Sequence, residues 1–267
     1  MSDPVPEEIA AALARNAERR GCFGDPLYFF TETGSTNDVA ATLAEHGAPE
    51  GATVIASCQT AGRGRFGRAW FSPEGAGLYA SLVCRNAQAA PLLTLAGGVA
   101  AAQGIRTATG LPVFIKWPND IVTGEAGRAR RKLAGILAEA SSGADGLQYV
   151  ILGFGINLRP AAYPPELADR ATSIETELGR IADPGAVLAE TLAAFRLLFD
   201  RLAGGDREHV LARWRELAPS SRGATVEWTT PAGDLRGTSQ GIDDDGALLV
   251  EVGARVERII SGELRWL

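Results

Sequence analysis

A short segment in which arginine alternates with glycine is the first candidate for chemistry in this chain. Residues 59–70 read QTAGRGRFGRAW, in which Arg63, Arg65 and Arg68 are separated by glycines. Arginine presents a fixed fork of N–H donors that matches the oxygens of a carboxylate or phosphate. Glycine lets the backbone approach a ligand closely. The segment predicts a loop that closes over an anionic ligand, although it also fits a surface loop with solvated arginines.

A second candidate site is KWPND, residues 116–120. It reads as the end of a strand followed by a polar turn, and ligands of α/β proteins often bind at strand ends. Asn119 could bond a base or a phosphate oxygen, and Asp120 could hold a magnesium ion. Taken alone, an ordinary turn beside a buried Trp117 is the simpler interpretation.

Two further segments carry isolated polar groups. Lys132 precedes the apolar run LAGIL, where a partly buried lysine could place its charge against a carboxylate or phosphoryl oxygen. Ser35, Thr36 and Asn37 stand where a helix is predicted to begin, so free backbone N–H groups and their side chains could bind a ligand. Each also fits a structural role, as a solvated lysine at a hairpin end and as a helix cap.

The histidines and cysteines point to no other chemistry. His46 and His209 are not predicted to form a triad with any serine motif, which argues against a serine nucleophile. The cysteines are odd in number and their spacings match no zinc pattern (Cys22, Cys58 and Cys84). They are most simply free thiols in a reducing compartment.

The elements that must position these residues alternate between strands and helices. Hydrophobic patterning predicts helices over residues 6–20, 91–109, 184–203 and 206–217, and a further helix that Ser35 caps and Gly47 ends. It predicts strands over 26–30, 52–58, 77–85, 113–120 and 147–158, and a hairpin that starts with DIVT, turns through a Gly/Arg segment and returns over 131–140. Residues 159–172 are rich in proline and predicted to be irregular. Short alternating segments after residue 219 predict a small β-barrel, so we divide the chain into 1–219 and 220–267.

Composition limits the classes of function. The chain has 267 residues, 46% of them hydrophobic, with a net charge of -6 and a pI of about 5.1. A nucleic-acid-binding protein would usually be basic, so the arginines predict a local site for a small anion and no DNA partner. No apolar run reaches the length of a membrane span, and the N-terminus lacks the pattern of a signal peptide. We therefore expect a cytoplasmic protein without a membrane partner.

Taken together, the motifs resemble those of the biotin protein ligase family (biotin–[acetyl-CoA-carboxylase] ligases). STN at 35–37, QTAGRGRFGRAWFSP at 59–73, KWPND at 116–120, KLAGIL at 132–137 and GFGIN at 153–157 occur in the family's order and spacing. The resemblance is strong over residues 27–160 and looser over 220–267. It implies an α+β fold, in which a mixed-sheet catalytic domain of the biotin/lipoate ligase type precedes a small SH3-like β-barrel.

The resemblance also implies a reaction and its residues. Biotin and MgATP would form biotinoyl-5′-AMP, from which biotin passes to a lysine of the biotin carboxyl carrier domain of a biotin-dependent carboxylase. The implied biotin contacts are Ser35, Thr36, Asn37, Gln59, Arg63, Gly64, Arg65 and Lys132. The implied ATP or adenylate contacts are Arg65, Arg68, Asn119 and Asn157, with Asp120 as the Mg²⁺ ligand. Lys132 and Arg65 are the implied catalytic residues.

Two departures and three alternatives accompany this interpretation. Phe66 stands where family members often have a basic residue, and only about 34 residues precede STN, too few for the DNA-binding domain of the bifunctional members. We therefore expect the monofunctional type, with a homodimer through sheet edges as one option. A lipoate ligase or octanoyltransferase of the same fold, a biotin-sensing repressor and a non-catalytic biotin-binding module are the alternatives.

Overall fold

The computed structural model describes residues 2–124, 130–230, 233–262 and 264–267. Its helices are α1 Glu7–Arg15, α2 Ala17–Arg20, α3 Thr36–Glu45, α4 Leu93–Thr109, α5 Pro165–Ala168, α6 Ile174–Leu178, α7 Pro184–Ala203 and α8 Arg207–Leu217. The strands of the first sheet are β1 Leu27–Thr33, β2 Thr53–Gln59, β3 Gly77–Cys84, β4 Phe114–Lys116, β5 Asp120–Thr123, β6 Arg131–Gly143 and β7 Gly146–Asn157. Those of the second are β8 Arg222–Thr230, β9 Gly233–Ile242, β10 Leu248–Val252, β11 Arg255–Ile259 and β12 Arg265–Trp266.

The first sheet is mixed, as the family resemblance implied. Its order is β1-β2-β3-β7-β6-β5-β4, in which β1 and β2 are parallel and the other neighbours antiparallel. The hairpin predicted from DIVT is present, since Asp120 of β5 pairs with Gly135 of β6. Its predicted Gly/Arg turn includes residues 125–129, which lie outside the described residues.

The two faces of this sheet have different surroundings because side chains alternate along a strand. On β7, Leu152, Phe154 and Ile156 belong to the main apolar core, which also contains the buried faces of α4 and α7. The residues between them are Gly153 and Gly155, so this part of the opposite face has no side chains of its own. That bare surface is where the predicted site residues gather.

The predicted elements are largely present, with three corrections at the ends and connections. The helix expected over 6–20 is two helices, because the backbone at Asn16 leaves helical geometry at φ -105° and ψ 12°. Ser35 begins α3, but its side chain makes no capping hydrogen bond. Instead the N–H of Thr36 donates to Gln59 Oε1 at 2.8 Å. The stretch 159–172 is not wholly irregular, because it contains α5.

The second sheet is antiparallel, with the order β11-β10-β9-β8-β12, and is consistent with an SH3-like fold. Its β9–β10 turn contacts the first sheet behind the KWPND segment. There the indole N–H of Trp117 donates to the carbonyl of Gly246 at 3.0 Å. In the same turn, Asp245 pairs with Arg207 of α8 at 3.0 Å. The turn thus ties the second sheet to the KWPND segment. Within the described ranges, no helix is both long and apolar enough to cross a membrane.

We predict that Trp117→Phe lowers the free energy of unfolding more than Trp214→Phe. Both tryptophans are almost completely buried, and both substitutions remove similar volume. Trp117 loses its hydrogen bond to Gly246, whereas Trp214 Nε1 has no partner among the described residues. The difference should be about 0.5–1.5 kcal/mol, the usual net contribution of one hydrogen bond. Urea unfolding measures it, and equal losses would show that the contact contributes nothing.

Candidate active site

All of the site residues expected from the sequence line one cavity of about 1160 Å³. The floor of the cavity is the glycine face of β6 and β7, and one wall is the start of α3. The Gly/Arg loop, residues 62–68, and the KWPND turn form the other walls on the side of the first sheet. The predicted residues brought together are Ser35, Thr36, Asn37, Gln59, Arg63, Gly64, Arg65, Arg68, Asn119, Asp120, Lys132 and Asn157.

A buried polar network joins the start of α3 to the sheet. Gln59 Oε1 accepts from the N–H of Thr36, and lies 3.1 Å from Thr36 Oγ1. Ser81 Oγ lies 2.8 Å from Thr36 Oγ1 and 2.6 Å from Asn37 Oδ1, and its single proton can serve only one of them. Gln59 Nε2 donates to Ser72 Oγ at 2.9 Å. These bonds hold the side chains in fixed directions, as a selective site for a polar ligand requires.

Arg63 is tied to the protein by two carboxylates. Its guanidinium lies 2.5 Å from Asp38 and 2.9 Å from Glu139, and Asn37 Nδ2 donates to the same Glu139 oxygen at 2.6 Å. Arg63 therefore fastens the Gly/Arg loop to α3 and β6. Neither carboxylate was singled out from the sequence. Glu139 could have been found from the alternation of side chains along a strand. It lies four residues after Gly135 and therefore on the same face of β6.

Trp70, another residue that the sequence did not single out, lies flat on the glycine floor. An added Cβ at Gly155 would stand 2.5 Å from its Cε2, and one at Gly135 would stand 3.0 Å from its Cζ3. Lys132 Nζ lies 5.0 Å from the centre of the indole ring, within the range of a cation–π contact. The GFGIN and KLAGIL motifs thus have a structural reason for glycine at these two positions.

Lys132 of β6 and Asp120 of the neighbouring strand β5 form an ion pair of 2.6 Å. The lysine expected to bind anions is therefore neutralised by the carboxylate expected to bind Mg²⁺. Both side chains remain partly accessible, at 36% and 22% of their full exposure. An anionic ligand could displace Asp120 from Lys132 and so release the carboxylate.

The remaining arginines of the Gly/Arg loop, Arg65 and Arg68, also line the cavity. Burial lowers the pKa of Arg65, although Asp120 opposes the shift. The guanidinium of Arg65 lies 4.8 Å from the ring centre of Phe66. Phe66 has a positive φ of 57° and is 60% exposed. A left-handed backbone is costly for a non-glycine residue, so the loop holds this apolar side chain out over the cavity mouth at some strain.

The two asparagines expected to bind the adenylate also hold the protein together. Asn119 Nδ2 donates to the carbonyl of Ile136 at 2.7 Å, and Asn157 Nδ2 donates to the carbonyl of Thr172 at 2.9 Å. Asn119 thus joins the KWPND turn to β6. Their proposed contacts with a nucleotide stay predictions.

Several cavity residues were not expected from the sequence. Lys116 and Lys132 are the chain's only lysines, and both line the cavity. Arg130 and Arg170 add further positive charge from the side of the first sheet, while Trp228, Arg236, Arg265 and Trp266 come from the second sheet. An acidic chain thus concentrates positive charge in one place, which is the pattern of a polyanion site.

This combination of fold and cavity defines a ligase of the biotin/lipoate type. Residues 29–157 match the profile of the Biotin/lipoate A/B protein ligase family, and residues 223–264 match the Biotin protein ligase C terminal domain. The chain belongs to the biotin protein ligase family.

Individual relatives support this assignment. The chain is 34% identical to the bifunctional ligase/repressor BirA of Bacillus subtilis over 97% of this chain and 79% of that protein. It is 33% identical to the biotin–[acetyl-CoA-carboxylase] ligase of Mycobacterium tuberculosis over 87% and 86% of the two chains. The biotin protein ligase from Aquifex aeolicus in complex with biotin and ATP superposes with a TM-score of 0.76 at 27% identity, covering 90% of this chain and 98% of that one.

We predict that Gly155→Ala destabilises the protein and displaces Trp70, whereas Gly98→Ala does not. The added methyl at 155 would overlap the indole, while at 98 its nearest neighbour is Ile115 Cδ1 at 3.8 Å. Overpacking of this kind costs about 1–3 kcal/mol. Gly98 lies within α4, where alanine is the better helix former by about 1 kcal/mol. Urea unfolding compares the two variants, and equal stabilities would contradict the close packing of Trp70.

Proposed function

We propose that this protein is an ATP-dependent biotin protein ligase. It joins biotin to ATP as biotinoyl-5′-AMP and then transfers biotin to a lysine of a biotin carboxyl carrier domain. One observation carries the proposal. Five separate motifs of a family member converge on one cavity with a neutral polar end and a cationic end. The similar Aquifex aeolicus structure was determined with biotin and ATP together.

The neutral end suits the ureido ring of biotin. A ureido group has N–H donors and a carbonyl acceptor, which must all find partners when the ring is buried. Ser35, Thr36 and Asn37 are less than 6% exposed and present hydroxyl and amide groups there. A hydrogen bond with Gln59 holds Thr36 in place. Glu139 accepts hydrogen bonds from both Asn37 and Arg63, and so holds Asn37 and the Gly/Arg loop. Arg63 therefore acts by holding the pocket in shape.

The cationic end suits the carboxylate of biotin and the phosphates of ATP. In the first step, a biotin carboxylate oxygen attacks the α-phosphorus, and the bond to the bridging oxygen breaks. Pyrophosphate leaves with that electron pair. Both reactants are anions, so the chief requirement is to neutralise and align them. We assign this neutralisation and alignment to Lys132 and Arg65. Arg68 and Gly64, which belong to the same Gly/Arg loop as Arg65, assist them.

Mg²⁺ fits this site as an ion shared between the protein and its substrate. The described residues contain no group of three histidine, cysteine or acidic side chains that could hold a metal by themselves. Mg²⁺ commonly needs only one or two carboxylates, with substrate phosphates and water as its other ligands. Asp120 supplies such a carboxylate once Lys132 turns to the ligand. Bound there, the ion would offset the charge of the triphosphate.

Trp70 offers the flat surface on which the adenine can stack. Its indole is supported from below by Gly135 and Gly155. Stacking of a base on an aromatic side chain contributes about 1–3 kcal/mol. Asn119 and Asn157 would then bond the nucleotide through groups that their structural contacts leave available. Phe66 places no charge over the adenylate, so Arg65 and Arg68 would retain the adenylate in the cavity.

The second step requires access for the carrier domain. Its lysine amine attacks the acyl carbon, loses a proton, and the bond to AMP breaks. The outer half of β6 offers a docking edge, since β5 pairs with β6 only from Arg131 to Gly135 while β7 pairs with it as far as Gly143. An unpaired edge can accept another strand, and a homodimer through the same edge is the alternative use. Both steps would take place in the cytoplasm.

The proposal is tested by pyrophosphate release from biotin and MgATP, followed by biotin attachment to a carrier domain. We expect both activities, and no attachment to a carrier whose acceptor lysine is replaced by arginine. Lipoate and octanoate should release no pyrophosphate. Turnover with either of these acids but not with biotin would assign the protein to the other branch of the family.

Lys132→Ala is expected to slow adenylate formation about 100- to 1,000-fold, as for removal of one preorganised charge donor. The fold should persist, because the backbone N–H and carbonyl of Lys132 keep their hydrogen bonds and the lost ion pair with Asp120 is partly exposed to solvent. Single-turnover pyrophosphate release measures the rate, and circular dichroism checks the fold. A folded variant that keeps its rate would remove Lys132 from the mechanism.

A further inference from the structure

The segment 170–172 runs beside Lys132 and bonds both sides of its backbone. The N–H of Lys132 donates to the carbonyl of Arg170 at 2.7 Å, and the N–H of Thr172 donates to the carbonyl of Lys132 at 2.9 Å. Ala171 thus forms a parallel bridge with Lys132. This connection was expected to be irregular, yet it pairs with the start of β6 through an isolated β-bridge.

The segment is anchored by a buried residue. Thr172 is 2% exposed, and its carbonyl accepts from Asn157 Nδ2 at 2.9 Å. Its hydroxyl donates to Glu177 Oε1 at 2.5 Å, and Arg131 donates to the same oxygen at 2.6 Å. Arg170 is therefore presented to the cavity from a fixed backbone, although its own side chain is exposed.

Arg170 joins a group of like charges. Lys116, Arg130 and Arg170 line the same cavity, and no carboxylate of the described residues forms an ion pair with any of them. The nearby acid, Asp120, is paired with Lys132. Burial lowers the pKa of Lys116, and the positive charges of Lys132, Arg170 and Arg130 lower it further against the opposing effect of Asp120. Mutual repulsion of this kind is relieved by binding a polyanion.

The charge exceeds what the α-phosphate and the biotin carboxylate require. Lys132, Arg65 and Arg68 already serve these two groups in the proposed function. The leaving pyrophosphate carries most of the negative charge of ATP, and the electron pair of the broken bond adds to it. Fixed cations at that end stabilise the transition state without any proton transfer.

We propose that Arg170 binds the β- and γ-phosphates of ATP and stabilises the departing pyrophosphate, with Lys116 and Arg130 completing the site. This inference rests on the proposed function, because it assigns the leaving group of that reaction. The guanidinium of Arg170 donates hydrogen bonds directly to phosphate oxygens. The backbone of the segment 170–172 is hydrogen-bonded to that of Lys132, and this positions Arg170. The cations for the two ends of the breaking bond are therefore held in a fixed relation to each other.

The test compares Arg170→Gln with Arg170→Lys and with Arg15→Gln, which removes an exposed charge from α1. Two quantities are measured on the full chain. One is the dissociation constant of inorganic tripolyphosphate by calorimetry without biotin, and the other is the KM for MgATP in pyrophosphate release. Arg170→Gln should raise both about 10- to 100-fold, the effect of losing hydrogen bonds to a charged group. Arg170→Lys should recover part of the loss, and Arg15→Gln should resemble the wild type.

A purely structural role would change other quantities. The KM for biotin, the rate of transfer from supplied biotinoyl-5′-AMP and the unfolding midpoint should stay at wild-type values in Arg170→Gln. Wild-type tripolyphosphate binding and KM for MgATP in this variant would overturn the inference, as would an equal loss in transfer from supplied adenylate. If tripolyphosphate binding depends on Arg170 but the wild type releases no pyrophosphate with biotin, the polyphosphate site stands and the proposed function fails.

Discussion

The close approach of Trp70 and Asn37 to the floor of the sheet is the constraint on which the cavity depends. A Cβ at Gly155 would stand 2.5 Å from the Trp70 ring, and one at Gly153 would stand 2.4 Å from Asn37 Oδ1. Trp70 closes the Gly/Arg loop, and Asn37 begins α3. Both walls of the cavity therefore pack directly against the backbone of β7 at its glycines. Any side chain at these positions would lift the walls away from the floor and change the distances between the polar and cationic ends.

The cations of the cavity fall into two groups that differ in their partners. Arg63 is held by two carboxylates, so it contributes shape more than free charge. Lys132 shares one carboxylate, Asp120, that a ligand can displace. Lys116 and Arg170 have no ion-pair partner in the described part of the chain, and burial with nearby positive charge lowers the pKa of Lys116. Paired charge stabilises the loop, while unpaired charge is kept available for an incoming anion.

Much of the fold could be predicted from the sequence because it depends on local patterns. Runs of apolar and β-branched residues identified the long strands, and α7 and α8 extend over nearly the predicted residues. The expectations that changed depended on distant contacts. Ser35 does not cap α3 through its side chain, because Gln59 takes up the N–H of Thr36 from another strand. The stretch before Thr172 reads as a proline-rich connection, and its pairing with Lys132 has no local signal.

The sequence by itself determined the family and the chemical types at the site. Unusual motifs such as GRGRFGR and KWPND need particular side chains in a particular order, and that order can be read directly from the linear sequence. Only the tertiary structure decided which charged side chains pair with others in the protein and which remain available to a ligand. Asp38 and Glu139 neutralise Arg63 from positions far along the chain, while Arg170 reaches the cavity without an ion-pair partner among the described residues. Electrostatic energy depends on distance in space, so pairing of this kind has no counterpart in the linear order of residues.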